Sequence, residues 1–149
     1  MKLTDLLNVE RANILMSGNP LRLARAFLAA WSNGGRRIIM EEPPFPVGGF
    51  DGDVFIGDPL SVRGFDVYVF FNPISRRREE LYPLLEERPG VVLLYEERYV
   101  GASISRYRIR KFLDYIVAYR RETVEMETVL LGRLRDGKIE ESKVLVRRV

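Results

Sequence analysis

Cysteine, histidine and glutamine are all absent from this sequence of 149 residues. Without cysteine, the chain has no disulfides, thiolate metal sites or cysteine nucleophiles. Without histidine, it lacks the commonest general base and the commonest zinc ligand, so any catalysis would depend on carboxylates, lysine, arginine, tyrosine or serine. The missing glutamine and the excess of arginine over lysine are typical of proteins depleted of thermolabile side chains, and they indicate a thermophilic source.

Long hydrophobic runs are absent as well. No apolar run approaches the roughly 18 residues that span a bilayer, and residues 1–20 lack the basic head and apolar centre of a signal peptide. The composition, 46% hydrophobic and 30% charged, is that of a soluble globular protein. We therefore predict a single domain over residues 1–149, located in the cytoplasm and without a membrane partner.

Charge is unevenly distributed along the chain. The net charge is +3, but residues 101–149 carry 12 basic and 7 acidic side chains, and the first hundred residues are slightly acidic. A basic C-terminal third would attract nucleic acid or an acidic protein. A solvated, arginine-rich surface explains the same pattern, so both interpretations stay open.

Five short apolar runs predict β-strands. They are rich in Val, Ile, Leu, Phe and Tyr, they are bounded by Gly, Pro, Asn or Asp, and they cover residues 14–17, 37–40, 53–56, 67–71 and 91–95. Because these runs are continuous and do not alternate with polar residues, we expect strands that are buried on both faces.

Two segments between the strands have the spacing of amphipathic helices. In the first, apolar residues recur on one face of 20–31, and Gly34-Gly35 supply a left-handed end. In the second, residues 74–85 carry a similar stripe, with a kink expected at Pro83. Strands and helices that alternate in this way predict right-handed crossovers and a mainly parallel sheet.

The C-terminal region predicts a β-hairpin. "METVLLGRL" and "ESKVLVRRV" both favour strand, and they are joined by "RDGK", in which Asp136-Gly137 is a strong turn signal. Residues 103–121 are ambiguous, because 109–117 keep a helical spacing whereas Tyr115-Ile116-Val117 would also suit a strand. The predicted fold class is α/β: three layers, with a mainly parallel sheet flanked by helices and a C-terminal antiparallel hairpin.

Residues 43–66 predict a long loop, since prolines and glycines break every regular run in it except the short strand at 53–56. Its aspartates would suit a divalent cation, which prefers oxygen ligands. Their glycine and proline neighbours favour turn formation instead, so we predict no metal site and no cofactor. The aspartates in question are Asp51, Asp53, Asp58 and Asp66.

Both predicted helices begin with an Asn-Pro pair. Asn19-Pro20 follows the first strand, and Asn72-Pro73 follows the strand at 67–71. Asparagine is a favoured N-cap and proline is favoured at the first helical position. A helix start binds phosphate when its N–H groups are free. An asparagine that accepts from one of these groups, and a proline that removes another, predict a poorer anion site.

Residues 6–42, "LLNVERANILMSGNPLRLARAFLAAWSNGGRRIIMEE", resemble the opening of the RecA-like ATPases of the RadA and KaiC type. That family has a strand, Ser-Gly, a phosphate loop, a helix that ends in glycine, and a second strand that ends in glutamates. "FDVYVFF" is similar to the family's Walker B strand and "VVLLYEE" to the following core strand. "LDYIVAYRR" and the terminal hairpin are similar to its closing strands. The resemblance covers most of the chain and implies a RecA-like fold.

The phosphate loop departs from the family's pattern. The family requires G-x-x-x-x-G-K-[ST], in which glycine amides and the lysine hold the phosphates and the hydroxyl holds Mg²⁺. Here Ser17 and Gly18 are followed directly by Asn19 and Pro20, without that lysine and hydroxyl. The resemblance therefore implies a shortened or destroyed phosphate loop at these four positions.

Two further positions bear on phosphoryl transfer. The strand similar to Walker B ends in Asn72, where the family has the aspartate that organises magnesium. Glu41 and Glu42 match the position of the family's catalytic glutamates, although solvated charges at a strand end would explain them equally. A base without the lysine, the hydroxyl and the metal carboxylate cannot transfer a phosphoryl group. The resemblance thus implies an ATPase fold whose ATPase activity has been lost.

Basic clusters are candidates for contact with nucleic acid. Three arginines open the second helix, where cations oppose the helix dipole and call for an anionic neighbour. "RYRIRKF" alternates basic side chains with aromatic and aliphatic ones, a combination that suits phosphate contact and base stacking. The hairpin adds further positive charge. The predicted nucleic-acid-binding residues are Arg76, Arg77, Arg78, Arg106, Tyr107, Arg108, Arg110, Lys111, Arg133, Arg135 and Lys138.

Together with the resemblance, these features predict a non-catalytic RecA-like accessory subunit in DNA recombination or repair. Its predicted partners are an active RecA-family ATPase or a second copy of itself, with DNA as a further partner. Two alternatives stay open. One is a structural or regulatory protein-interaction module without nucleic acid, and the other is a metal-dependent enzyme that uses the carboxylates of residues 41–66.

Overall fold

A computed structural model describes residues 1–99 and 108–148. Two α-helices connect parallel strands in it: α1, Leu21–Asn33, and α2, Pro73–Glu87. The strands are β1 Ala12–Ser17, β2 Ile38–Met40, β3 Val54–Ile56, β4 Val67–Phe71, β5 Val91–Glu96, β6 Tyr115–Arg121, β7 Met126–Arg135 and β8 Lys138–Arg148.

The described strands form one eight-stranded sheet in the order β3-β2-β4-β5-β1-β6-β7-β8. All neighbours from β3 to β6 are parallel, and β7 and β8 continue the sheet as an antiparallel hairpin. Asp136 and Gly137 both have positive φ, as a two-residue hairpin turn requires. The predicted fold class is confirmed.

Each central strand serves two cores, one on either face of the sheet. Ile14 and Met16 of β1 pack on the side of α1, around Phe27 and Leu28. Leu15, between them, packs on the side of α2. Because neighbouring residues of a strand point to opposite faces, a strand covered by a helix on each side must be apolar throughout. This explains the continuous runs of the sequence. The strand β3 is an exception, since as an edge strand it is only partly buried.

The ambiguous region resolves into a strand. Tyr115–Arg121 form β6, and only Arg110–Phe112 make a single 3-10 turn. Ile109 and Leu113 are buried on the α2 side, so their helix-like spacing comes from a turn that places both in the same core. The kink predicted at Pro83 is wrong: the break in helical dihedrals lies at Arg77, with φ −148° and ψ 29°.

Candidate functional site at the carboxyl edge of the sheet

The predicted nucleotide-site positions meet at one edge of the sheet. Parallel strands present their carboxyl ends together, and ligands of α/β proteins bind at this edge. Ser17 ends β1, Glu41 follows β2, and Asn72 follows β4. Backbone bonds tie these ends to one another: the Glu41 N–H donates to the Val69 carbonyl at 3.1 Å, and the Asn72 N–H donates to the Tyr95 carbonyl at 2.6 Å.

The turn after β1 is closed by its own neighbours. Gly18 has φ +89°, and a Cβ at this position would overlap the carbonyl of Tyr119 in the adjacent strand β6. Its N–H donates to the carbonyls of Glu96 and Arg98, each at 3.1 Å. A phosphate loop needs free amides that point into an open space. Here the first amide of the turn already bonds to the backbone that follows β5, and the backbone of β6 lies against the glycine.

Asn19 does not cap α1, so that prediction is wrong. The N-cap residue is Pro20, and no side chain bonds to the first turn. Asn19 instead has φ +62°, and its Oδ1 accepts a hydrogen bond from the Tyr95 hydroxyl at 2.7 Å. Tyr95 is fully buried in β5, and this burial raises the pKa of its phenol. A neutral phenol therefore holds Asn19 in its left-handed conformation.

Glu41 is the centre of an ion-pair network. Its side chain is only 16% exposed, and Oε1 accepts from the Phe71 N–H at 2.9 Å. Arg76 Nη2 lies 3.0 Å from Oε1, and Arg77 Nη1 lies 3.2 Å from Oε2. A solvated strand-end charge, one of the two interpretations of Glu41, does not describe this arrangement. The adjacent Glu42 is exposed.

Arg77 connects this network to the loop before β4. Its guanidinium lies 3.0 Å from Asp58 Oδ1 and 3.0 Å from Glu80 Oε2. Burial alone would raise the pKa of Asp58, but the hydrogen bond from Arg77 outweighs it and the pKa is lowered. These carboxylates are the anionic neighbours that arginines at a helix start require. A role of Arg76, Arg77 and Arg78 in nucleic-acid binding stays a prediction.

A buried glutamate that sequence reasoning missed caps α2. Glu96, at the end of β5, is 1% exposed, and its Oε1 accepts from the Ile74 N–H in the first turn of α2 at 2.7 Å. Burial raises the pKa of Glu96. Asn72 is the N-cap residue by position, but its Oδ1 accepts from the Glu97 N–H at 2.8 Å and does not cap the helix. A charged residue that continues the buried run "VVLLY" was the available signal.

Comparison with solved structures identifies the architecture. The ATPase domain of a helicase superposes with a TM-score of 0.60 at 11% identity, over 91% of this chain and 81% of that one. The RadB recombinase gives 0.57 at 11% identity, over 95% and 91%. The N-terminal domain of zonular occludens toxin from Neisseria meningitidis gives 0.53 at 11% identity, over 91% and 94%. The chain has a RecA-like fold. No protein-family model and no curated protein matches the sequence.

The RecA-like fold places several predicted nucleic-acid-binding residues around the β7–β8 turn. Arg110 Nε donates to the Gly137 carbonyl at 2.7 Å, and the backbone of Lys111 packs beside Gly137. Arg133 and Arg135 both contact Glu140, at 3.8 and 3.0 Å. The turn therefore gathers Arg110, Lys111, Arg135 and Lys138 at one corner. Arg108 is exposed, whereas Arg106 and Tyr107 lie outside the described residues.

A second basic surface lies beside the closed turn. A groove of about 680 Å³ runs between the start of α1 and the hairpin, with Gly18, Pro20 and Tyr119 among its lining residues. The charged side chains that line it are Arg22, Arg121, Glu127, Arg147 and Arg148. Glu127 accepts from the Tyr119 hydroxyl at 2.6 Å and lies 3.6 Å from Arg147. The groove is therefore positively charged overall.

Within residues 1–99 and 108–148, no three carboxylates come close enough together to hold a metal ion. Two aspartates of the 43–66 region have structural partners: Asp58 caps the short turn Pro59–Ser61, and Asp66 accepts from the Arg37 N–H at 2.8 Å. Nothing in this geometry favours the metal-dependent alternative. The described helices also include none that is long and apolar enough to cross a bilayer.

Proposed function

We propose that this chain is a non-catalytic RecA-like accessory subunit, which acts by binding an active RecA-family ATPase or a second copy of itself. The observation that carries the proposal is the contact between Gly18 and the Tyr119 carbonyl. Glycine in a phosphate loop lets backbone approach a phosphate. In this chain the missing side chain lets the turn approach β6 instead, so the glycine serves packing at the position where a nucleotide would lie.

The state of Glu41 supports the same proposal. A general base must be available to the proton that it removes. Both oxygens of Glu41 are within 3.2 Å of a guanidinium, and one also accepts from the Phe71 N–H. Its bonds join β2, β4 and α2, which is a structural role. A RecA-like domain that has lost the lysine and the magnesium aspartate retains its surfaces for binding other molecules.

We expect the purified chain not to bind or hydrolyse ATP. Isothermal titration with Mg-ATP should give no saturable heat, and Mg-ATP should not raise the melting temperature, as a ligand of the folded state would. Titration with magnesium alone provides the control for dilution and ionic strength. Saturable, magnesium-dependent ATP hydrolysis that is abolished by Glu41→Gln would overturn the proposal.

The proposal includes contact with nucleic acid, in keeping with a role in DNA recombination or repair. It is supported by the basic corner at the β7–β8 turn. Lys111 is exposed beside this turn, and Lys138 is exposed at the start of β8. Arg133 and Arg135 are partly neutralised by Glu140 and Glu141, so the two lysines are the better candidates for phosphate contact.

We expect Lys111→Ala/Lys138→Ala to weaken binding of a fluorescent single-stranded oligonucleotide, measured by anisotropy between about 50 and 200 mM salt. Each lost phosphate contact should reduce the slope of log affinity against log salt by about 0.7, so the double variant should lose about 1.4. Arg22→Ala/Arg121→Ala, in the groove beside the closed turn, is the matched control and should change the slope less. Negligible binding by the unmodified chain would favour a protein-interaction module without nucleic acid.

A further inference from the structure

The strand β8 leaves one edge of the sheet open. It is 11 residues long, it is last in the strand order, and β7 is its one neighbour among the described strands. One side of its backbone therefore lacks a ladder partner, which makes it a template for another strand. Val144 and Val146 are each 60% exposed, and Ile139 is 47% exposed.

The charges along β8 are arranged in two blocks of opposite sign. Glu140 and Glu141 lie in its first half, and Arg147 and Arg148 end it. Val144 lies midway between Glu141 and Arg147. If two copies of β8 run antiparallel about a two-fold axis at Val144, residue i faces residue 288 − i of the other copy. Each acidic block then faces the basic block of the other chain.

This register places opposite charges in contact throughout. Glu141 faces Arg147 of the second copy, and Glu140 lies beside its Arg148. Lys143 faces Leu145, against which the aliphatic part of the lysine side chain can pack. Opposite charges across neighbouring strands stabilise a pair, and like charges destabilise it. No like charges face each other in this register.

The neighbouring registers lack this property. A continuous sheet with the axis perpendicular to it keeps each side chain on its own face, so the register can shift only in steps of two residues. With the axis at Lys143, two lysines face each other and Lys138 faces Arg148. With the axis at Leu145, Lys143 faces Arg147. The charges therefore select the axis at Val144 by excluding its neighbours.

The apolar side chains also suit this axis. Val144 is paired with Leu130 of β7 on the α2 side of the sheet. The two-fold axis would place Val144 against its own copy and extend the Leu130–Val144 pair across the junction. Val146, on the same face, would lie next to Ser142 of the second copy. An exposed valine in the middle of an edge strand thus gains a buried partner.

We propose that β8 pairs with β8 of a second copy of this chain about a two-fold axis at Val144, joining two sheets into one. This inference deepens the proposed function by naming the partner, and it rests on the binding role alone. Glu141 contacts the amino terminus and Arg133 within its own chain, and Arg147 contacts Glu127. Their side chains are still 39% and 62% exposed, so both remain accessible to a second chain.

Two complementary single substitutions test the register. Glu141→Arg alone would place arginine against Arg147 of the second copy, and Arg147→Glu alone would place glutamate against Glu141. We expect each variant to dissociate at least tenfold more readily than the unmodified chain. An equimolar mixture of the two should form a heterodimer, because every facing pair is then of opposite charge. Sedimentation velocity over a range of concentrations measures all three samples.

Two further variants separate the interface from the fold. Glu86→Arg, on the exposed side of α2, is the matched charge reversal and should dimerise like the unmodified chain. Val144→Lys should be monomeric, because two lysines would meet at the axis, and circular dichroism should show it folded. A monomeric unmodified chain, single variants that dimerise normally, or a mixture that stays monomeric would each overturn the inference. None of these results bears on the titration with ATP, so the two proposals fail separately.

Discussion

Replacing Gly18 by alanine is expected to destabilise the fold by about 3 kcal/mol or more, because two costs combine at this position. Alanine is strained at positive φ, by about 1 to 2 kcal/mol, and the new Cβ would overlap the carbonyl of Tyr119. A backbone carbonyl in a central strand cannot move aside like a flexible side chain, so overpacking adds about 1 to 3 kcal/mol. Urea denaturation followed by circular dichroism measures the loss.

Two other glycines separate these costs. Gly49 and Gly64 have φ +89° and +87°, almost the same as Gly18, but a Cβ at either would meet no atom within 4 Å. Gly49→Ala and Gly64→Ala should therefore cost only the conformational term of about 1 to 2 kcal/mol. If Gly18→Ala costs no more than these controls, the turn is not closed against β6. In that case the main support for a lost nucleotide site is removed.

Replacing Glu96 by glutamine is expected to stabilise the protein at neutral pH. The glutamine Oε1 can still accept from the Ile74 N–H and cap α2, but a buried negative charge is removed. Glu96→Ala loses the cap as well and leaves the Ile74 N–H unpaired. It should be about 1 to 2 kcal/mol less stable than Glu96→Gln.

The pH dependence identifies the cause. Burial raises the pKa of Glu96 above its ordinary value of 4.5, so the folded state holds this proton more tightly than the unfolded state. Its contribution to stability is complete below pH 4.5 and is lost as the pH rises through the folded pKa. The free energy of unfolding, measured by urea denaturation from about pH 4.5 to 8, should therefore decline in the unmodified chain relative to Glu96→Gln.

The exposed neighbour Glu97 supplies the control for this experiment. Glu97→Gln removes the same charge from the next residue and should leave the difference in pH dependence nearly unchanged. The lowered pKa of Asp58 acts in the opposite direction, since its contribution is lost as the pH falls. It is present in every variant and cancels in the comparison. Equal pH profiles for Glu96→Gln and the unmodified chain would contradict a buried, charged cap.

The sequence was sufficient to predict the architecture because its determinants are local. A strand covered on both faces must be apolar at every position, and the apolar runs from β1 to β5 show it directly. Asp136-Gly137 defines a hairpin through its own backbone preferences. The ends of the elements followed from glycine and proline. A mainly parallel sheet with a terminal hairpin needs no further information.

The chemistry of the carboxyl edge could not be predicted in the same way, because its partners are distant in sequence. Asn19 is a good N-cap by local rules, yet its side chain bonds to Tyr95, 76 residues away. Arg77 adopts non-helical dihedrals and contacts Glu41 and Asp58, which the topology brings to the start of α2. No pattern within a few residues of any of these positions indicates such contacts.

The two edges of the sheet differ greatly in length. The edge strand β3 has three residues, and the edge strand β8 has eleven. Two chains that join through β8 consume the long edge of each, because a two-fold contact uses the same surface on both subunits. The outer ends of the joined sheet are then two short β3 strands, with few backbone groups to recruit another chain. Growth through strand addition is self-limiting, and the assembly ends as a pair instead of extending into a filament.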